Sequence, residues 1–215
     1  MKQLQIFLLS MFLSSGLIAQ KIDGNSIEQV YEVPDVSAEA LFSEIHYVLS
    51  LIFQDVDVAI KYMDKPSKRI VVKALALVPV LDAYKLMNPN VTELSDYIDY
   101  SHNYTLIIKV KEGKYWLKMS YQDGKYSDAQ LTEYKLPFAA KMDFDEKDLE
   151  QVIKKAQIEM GKDYYSMTGR KKKEIYIQSQ PRVLQEYQKT LINYSTIFFQ
   201  SLHKKVLEGF EETDW

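Results

Sequence analysis

Side chains suited to metal binding or proton transfer are sparse in this chain of 215 residues. It has no cysteine, which excludes a disulfide framework, and three histidines, His46, His102 and His203. No two histidines stand at a spacing that metal ligands use, and an isolated histidine is more often structural than a ligand. The sequence therefore predicts no metal site and no cofactor.

One spacing matches a catalytic motif. Ser201 and Lys204 form Ser-x-x-Lys, in which a lysine can activate a serine nucleophile. The companion motifs of the penicillin-recognising enzymes are missing, and a long helix produces this spacing by chance. The seven glycines form no phosphate loop, no Gly-x-Gly-x-x-Gly and no Gly-x-Ser-x-Gly. We therefore predict no catalytic residue.

Two charged runs have a functional and a structural interpretation. Asp143, Asp145, Glu146 and Asp148 are rich in oxygen ligands, but the sixth and twelfth positions of a calcium loop would hold Asp148 and Lys154. Helix capping explains this acidic run better. The basic run 170–173 suits an anionic partner such as a lipid head group or polysaccharide, and a solvated linker is the favoured alternative.

The best binding candidate lies in a hairpin, YTLIIKVKEGKYWLKMSYQDGKY, whose connection is Glu112-Gly113. Pairing Lys111 with Lys114 sets eight apolar or aromatic residues on one face. The other face carries Trp116 between Lys109 and Lys118, an aromatic residue flanked by cations, and Tyr126 beyond the next turn completes the candidate set. Burial of Trp116 under a C-terminal helix is the competing prediction. The eight residues are Tyr104, Leu106, Ile108, Val110, Tyr115, Leu117, Met119 and Tyr121.

The composition adds 16 tyrosines. Tyrosine has an apolar body and a polar tip, so most should lie at the rim or on the half-exposed face of a sheet. Tyrosine is also common at surfaces that bind glycans and proteins.

The first 19 residues predict export. A charged start, the 14-residue apolar stretch 6–19 and a cut after Ala19 are typical of a secretory signal peptide. The stretch is short for a membrane anchor. Losing the one lysine of residues 1–19 changes the formal net charge from −3 to −4, which argues against nucleic acid. We expect a periplasmic or secreted protein with no integral membrane segment after cleavage.

Periodicity predicts the order of elements. A strand at 30–33 precedes an amphipathic helix capped by Ser37, and strands at 58–63 and 70–78 form a hairpin. Residues 82–103 are expected to form a long loop with one helical turn after Thr92. A helix follows at 146–160, and the last helix runs from Pro181 to a stop at Gly209. Its apolar stripe over 182–208 either crosses the whole molecule or pairs with a second copy to form a homodimer.

The signal peptide, the segment VYEVPDVSAEALF and the segment YTLIIKVKEGKYW together resemble a family of exported proteins of unknown function from Gram-negative bacteria. The resemblance covers about residues 28–126. It implies α+β with a curved antiparallel sheet and helices on one side, the TATA-binding-protein-like fold (TBP-like fold). Residues 127–215 are expected to form a helical C-terminal extension packed on it. The fold name implies nothing about DNA.

Two functions follow as hypotheses. The first is a non-catalytic binding or scaffold module that holds a protein or glycan of the cell envelope on the open sheet face. The second is a periplasmic hydrolase that uses carboxylates gathered by the fold, such as Asp55, Asp57 or Asp99.

Overall fold

A computed structural model describes residues 20–127, 133–135 and 140–211. For Tyr126, Ser127, residues 133–135 and Tyr164 it describes the backbone alone. The predicted signal peptide, residues 1–19, lies outside the described residues.

An open, curved antiparallel sheet carries the fold. Its strands lie in the order β1-β2-β6-β5-β4-β3, and β7 pairs with β5 and β8. The strands are β1 (Lys21–Asp23), β2 (Ser26–Glu32), β3 (Ile60–Asp64), β4 (Arg69–Leu81), β5 (Tyr97–Lys111), β6 (Lys114–Tyr121), β7 (Lys125–Ser127) and β8 (Glu133–Lys135).

The helices are α1 (Ala38–Ile52), α2 (Val56–Ala59), α3 (Ala83–Met87), α4 (Glu146–Met160) and α5 (Arg170–Glu211), with a 3₁₀ turn at Asp163–Tyr165. Helix α5 packs on β2 and β4 and on α1, α3 and α4, and α1 packs on β5 and β6. The predicted α+β class, with helices on one side of the sheet and one long C-terminal helix, is therefore confirmed.

The register of the central hairpin is the predicted one. Lys111 lies opposite Lys114, and the pairing continues to Tyr104 opposite Tyr121. All eight residues of the predicted inner face are buried. The two-residue connection sets this register. The apolar face also favours it, because a slip of one residue would turn every apolar side chain toward water.

Two helix caps also follow the sequence. The Ser37 hydroxyl oxygen accepts the Ala40 amide at 3.2 Å at the start of α1. Asp145 caps α4 by accepting the Asp148 amide at 2.9 Å, while the Asp148 carboxylate accepts the Asp145 amide at 3.0 Å. This reciprocal capping box explains the acidic run as a helix start, as predicted.

Two strand predictions, one loop prediction and one helical-turn prediction need correction. The predicted strand at 30–33 begins earlier, at Ser26, because β2 pairs with β6 along its whole length. Residues 56–59 form α2, so β3 begins at Ile60. The expected loop 82–103 contains α3 and the first half of β5, which starts at Tyr97 and pairs with β4. The helical turn is at Ala83–Met87, where Asp82 accepts the Tyr84 amide at 2.8 Å, and not after Thr92.

The bounds of the last helix also differ from the prediction. Helix α5 has 42 residues, begins at Arg170 and continues through Pro181 and Gly209. At about 1.5 Å per residue it is about 63 Å long. The basic run 170–173 is thus its first turn and not a connection, because packing against α3 and α4 extends the helix beyond the proline.

The hydrophobic core lies between the inner sheet face and the helices. It joins residues from both predicted parts of the chain, 28–126 and 127–215, such as Leu106 and Ile108 with Leu184 and Leu191. Helix α5 therefore crosses the molecule, and most of its predicted apolar stripe is buried in the chain's own core. Across the described part of the chain, no helix has the length and hydropathy needed to span a membrane.

Candidate functional site

The outer sheet face, defined as the face away from α1 and α5, carries two rows of side chains across the strands. Across the first row lie Val30, Trp116, Lys109, Arg69 and Asp64. Across the second lie Glu28, Lys118, Ile107, Val71 and Tyr62.

Trp116 is the centre of a small polar cluster on this face. Its indole Nε1 donates to Glu28 Oε2 at 2.9 Å, and the Lys109 ammonium lies 4.8 Å from the ring centroid. The Lys21 ammonium lies 3.0 Å from the second Glu28 oxygen. Trp116 is half-buried. The tryptophan is thus fixed from two sides while part of its surface stays in water.

Glu28 is ionised under ordinary conditions. Burial acts to raise the pKa of its carboxyl, but hydrogen bonds from Lys21 and Trp116 outweigh this effect and hold the pKa below its usual value. The same pair raises the pKa of Lys21. The charge on Glu28 therefore keeps the indole in place down to acidic pH.

Helix α5 does not cover Trp116. Its aromatic contacts go to the inner face, where Tyr194 and Phe198 meet Tyr104 and where His203 meets Tyr115. On the outer face Leu75 and Leu77 are 55% and 58% exposed. Among the described residues, Trp116 is therefore half-buried and is not under α5.

Three of the four candidate binding residues come together. Lys109 and Trp116 are directly opposite each other, and Lys118 lies two residues along β6 from Trp116, opposite Glu28. The backbone of Tyr126 pairs in β7 with Tyr134, and its side chain lies outside the described residues.

The other candidates lie apart from this cluster. Ser201 and Lys204 are exposed on α5, and Lys204 pairs with Glu208 at 3.6 Å. Asp55 caps α2 by accepting the Val58 amide at 3.0 Å, whereas Asp99 is exposed on β5 opposite Pro79.

In the basic run, Arg170 bonds Glu174 at 2.9 Å and Lys172 donates to Asn88 Oδ1 at 2.6 Å. No group of three or more acidic, histidine or cysteine side chains among the described residues could hold a metal ion.

Tyr104, Tyr115 and Tyr121 are buried on the inner face, as the hairpin register predicts, but Tyr31, Tyr165, Tyr176 and Tyr187 are also buried, which corrects the expectation that most tyrosines lie at the rim. The hydroxyl of Tyr121 lies 2.9 Å from Ser195 Oγ, and that of Tyr115 lies 2.8 Å from His203 Nδ1. Partners on α5 compensate for the loss of water around these hydroxyls. His102 is fully buried, and its Nδ1 lies 3.0 Å from the Gln122 carbonyl, so it is a structural histidine.

Sequence reasoning missed two residues of the outer face. Glu28 bonds Trp116 across 88 positions of sequence, and Arg69 lies opposite Lys109. Neither pairing follows from a local turn. The apolar residues of Ser26–Glu32 are Ile27, Val30 and Tyr31, which do not alternate, so no period-two signal marks Glu28 as part of a strand.

Comparison with known proteins gives a fold. No family model matches the chain, and no curated protein matches it. The crystal structure of a DUF4468 family protein from Bacteroides ovatus is 12% identical, with a TM-score of 0.50, over 88% of this chain and 92% of that chain. The crystal structure of a TBP-like protein from Parabacteroides distasonis is 15% identical, with a TM-score of 0.45, over 86% of this chain and 93% of that chain. The predicted resemblance to a family of unknown function with a TBP-like fold is confirmed for the fold, which this chain shares with the DUF4468 family protein.

Proposed function

We propose that the chain is a non-catalytic binding module of the bacterial cell envelope, and that it is exported and holds an acidic protein on its outer sheet face around Trp116. The observation that carries the proposal is a fixed but half-exposed tryptophan beside cations on a face that α5 leaves open. Tryptophan anchored in this way is typical of residues that contribute most to binding.

The charge of the face selects the partner. Lys109 lies directly opposite Arg69, and within the described residues neither side chain forms an ion pair. Asp64 lies opposite Arg69 on its other side, but its carboxylate accepts the Ser67 hydroxyl and forms no ion pair with Arg69 among the described residues. The repulsion between the adjacent cations Lys109 and Arg69 decreases when a partner supplies further carboxylates. Lys118 extends the basic surface along β6, where Glu28 opposes it. A segment of a partner with carboxylates at alternate positions would fit these rows.

The proposal is tested by capture from envelope extracts on the immobilised protein. Trp116→Ala should lose the captured partner, and Lys109→Glu should weaken capture more at low than at high salt. The matched control is Tyr47→Ala, which removes a 57% exposed aromatic ring from α1, away from the sheet. All three variants are checked for an unchanged circular dichroism spectrum.

The identity of the captured material decides between partners. An acidic protein lost from Trp116→Ala and retained by Tyr47→Ala supports the proposal. Equal capture by both variants would refute it, and so would capture of an acidic polysaccharide in place of a protein.

A further inference from the structure

Strand β4 has a long unpaired edge. Strand β3 pairs with Arg69–Val72 alone, and no other strand of the described residues pairs with the outer side of β4. The Val110 amide donates to the Lys68 carbonyl at 3.0 Å, so the even-numbered residues of β4 point their backbone groups toward β5. The backbone groups of Lys73, Leu75 and Leu77 therefore point to the free edge.

The side chains along this edge give it little protection. Leu75 and Leu77, which are more than half exposed, lie on the outer face beside it. Proteins usually protect an edge strand with charges, bulges or proline. Pro79 protects one position, because proline has no amide N–H and the amide of this residue would point to the free edge. Lys73 is the one charged residue between Arg69 and Leu81. Helix α2, which leads into β3, also contacts β4, and beyond β3 no described strand pairs with this edge.

We propose that a second copy of this chain pairs antiparallel along Lys73–Pro79, with a two-fold axis at Ala76. This register places Leu75 opposite Leu77 of the second copy, and Leu77 opposite Leu75 of the second copy. The four exposed leucines therefore pack against one another. An interface of this kind is isologous and closes as a dimer. The two sheets become one, with a continuous outer face.

Charges in the same register are complementary. Lys73 comes opposite Pro79 of the second copy, and Pro79 is itself opposite Asp99 in its own sheet. Lys73 and Asp99 are both exposed, and neither forms an ion pair within the described residues. Two strand spacings, about 10 Å, separate their Cα atoms across the proline, and the lysine and aspartate side chains together bridge this distance. The two-fold axis produces two such pairs of Lys73 and Asp99 in the dimer.

This edge is separate from the stripe of α5, which is buried in its own chain. The dimer therefore differs from the helix-mediated dimer that the sequence suggests, and it is independent of the proposed function at Trp116. The two routes to a dimer make opposite predictions for Leu77 on β4 and for Ile197, which is 63% exposed on α5.

The first test is sedimentation equilibrium of the purified protein at concentrations up to about 1 mM, the weak end of specific association. The wild type should be a dimer, Leu77→Lys a monomer and Ile197→Lys still a dimer. Each variant should keep the wild-type circular dichroism spectrum, because both side chains are exposed. A monomeric wild type, or a dimer that survives Leu77→Lys, would overturn the proposal.

The second test is a charge exchange. Lys73→Asp and Asp99→Lys should each weaken the dimer by about tenfold, and the double variant should restore it. Within one chain Lys73 is six residues along β4 from Pro79, the residue opposite Asp99, so restoration requires contact between copies. A double variant that is weaker than both single variants would rule out this register.

Discussion

The imidazole of His203 stacks on the ring of Tyr31, with ring centroids 4.2 Å apart and an interplanar angle of 24°. The Tyr115 hydroxyl lies 2.8 Å from His203 Nδ1. These contacts join the C-terminal part of α5 to β2 and β6. Because the rings of Tyr31 and Tyr115 pack against the imidazole and remove it from water, the protonation of His203 is coupled to folding.

Stability should fall as pH drops below about 6.5. Burial lowers the pKa of His203 from its usual 6.5, so the unfolded chain binds this proton more readily than the folded chain. Burial lowers the pKa of His102 in the same direction. The free energy of unfolding, measured by urea at pH values on either side of 6.5, should decrease less in His203→Gln than in the wild type. Equal decreases would show that His203 does not contribute.

Removing the Ser195 hydroxyl should leave a buried polar group without its partner. Tyr121 Oη lies 2.9 Å from Ser195 Oγ, and both residues are buried. Ser195→Ala is expected to lower the free energy of unfolding by about 1–3 kcal/mol, and adding Tyr121→Phe should recover part of that loss. Ser201→Ala, at an exposed position of the same helix, should change it by less than about 0.5 kcal/mol. Urea unfolding measures all three, and an equal loss in both serine variants would contradict the argument.

Replacing the proline inside α5 should stabilise the protein. Pro181 cannot donate to the carbonyl one turn earlier, and the Tyr176 carbonyl beside this break accepts Ser179 Oγ at 2.8 Å and Gln180 Nε2 at 3.2 Å. Pro181→Ala is expected to raise the free energy of unfolding by about 1–3 kcal/mol, because proline costs up to about 3 kcal/mol in a helix interior. Thermal unfolding checks the direction. A lower melting temperature would mean that the proline itself contributes to packing.

Gly209 and Glu44 should be energetically coupled. A Cβ at Gly209 would overlap Glu44 Oε1, so alanine there displaces the carboxylate. Gly209→Ala should raise the free energy of unfolding by about 1 kcal/mol when Glu44→Ala is also present, because alanine has the higher helix propensity. In the wild-type background the increase should be smaller. A double-mutant cycle should give a coupling of at least about 0.5 kcal/mol. A value near zero would mean that the carboxylate moves away freely.

Local rules predicted the parts of the fold that they govern. The two-residue turn at Glu112-Gly113 fixes the pairing of β5 with β6, and Asp145 fixes the start of α4. The same turn predicted that Lys109 and Trp116 are neighbours. These features depend on residues close in sequence, so they can be predicted from short segments of the sequence.

The parts that depend on distant residues could not be predicted. The first half of β5 contains many polar residues, and it forms a strand because β4 pairs with it. The basic first turn of α5 resembles a linker until its contacts with α3 and α4 are known. The hairpin register predicted that Tyr121 faces inward, but not its hydrogen-bond partner, because Ser195 is 74 residues away.

The contacts of α5 also determine the order of events during synthesis. The inner sheet face, from Tyr31 to Tyr121, is covered largely by a helix that leaves the ribosome after every strand has been made. Until then the nascent chain has an apolar sheet without a cover, and such intermediates expose surface that chaperones bind. The protein therefore completes its core after translation.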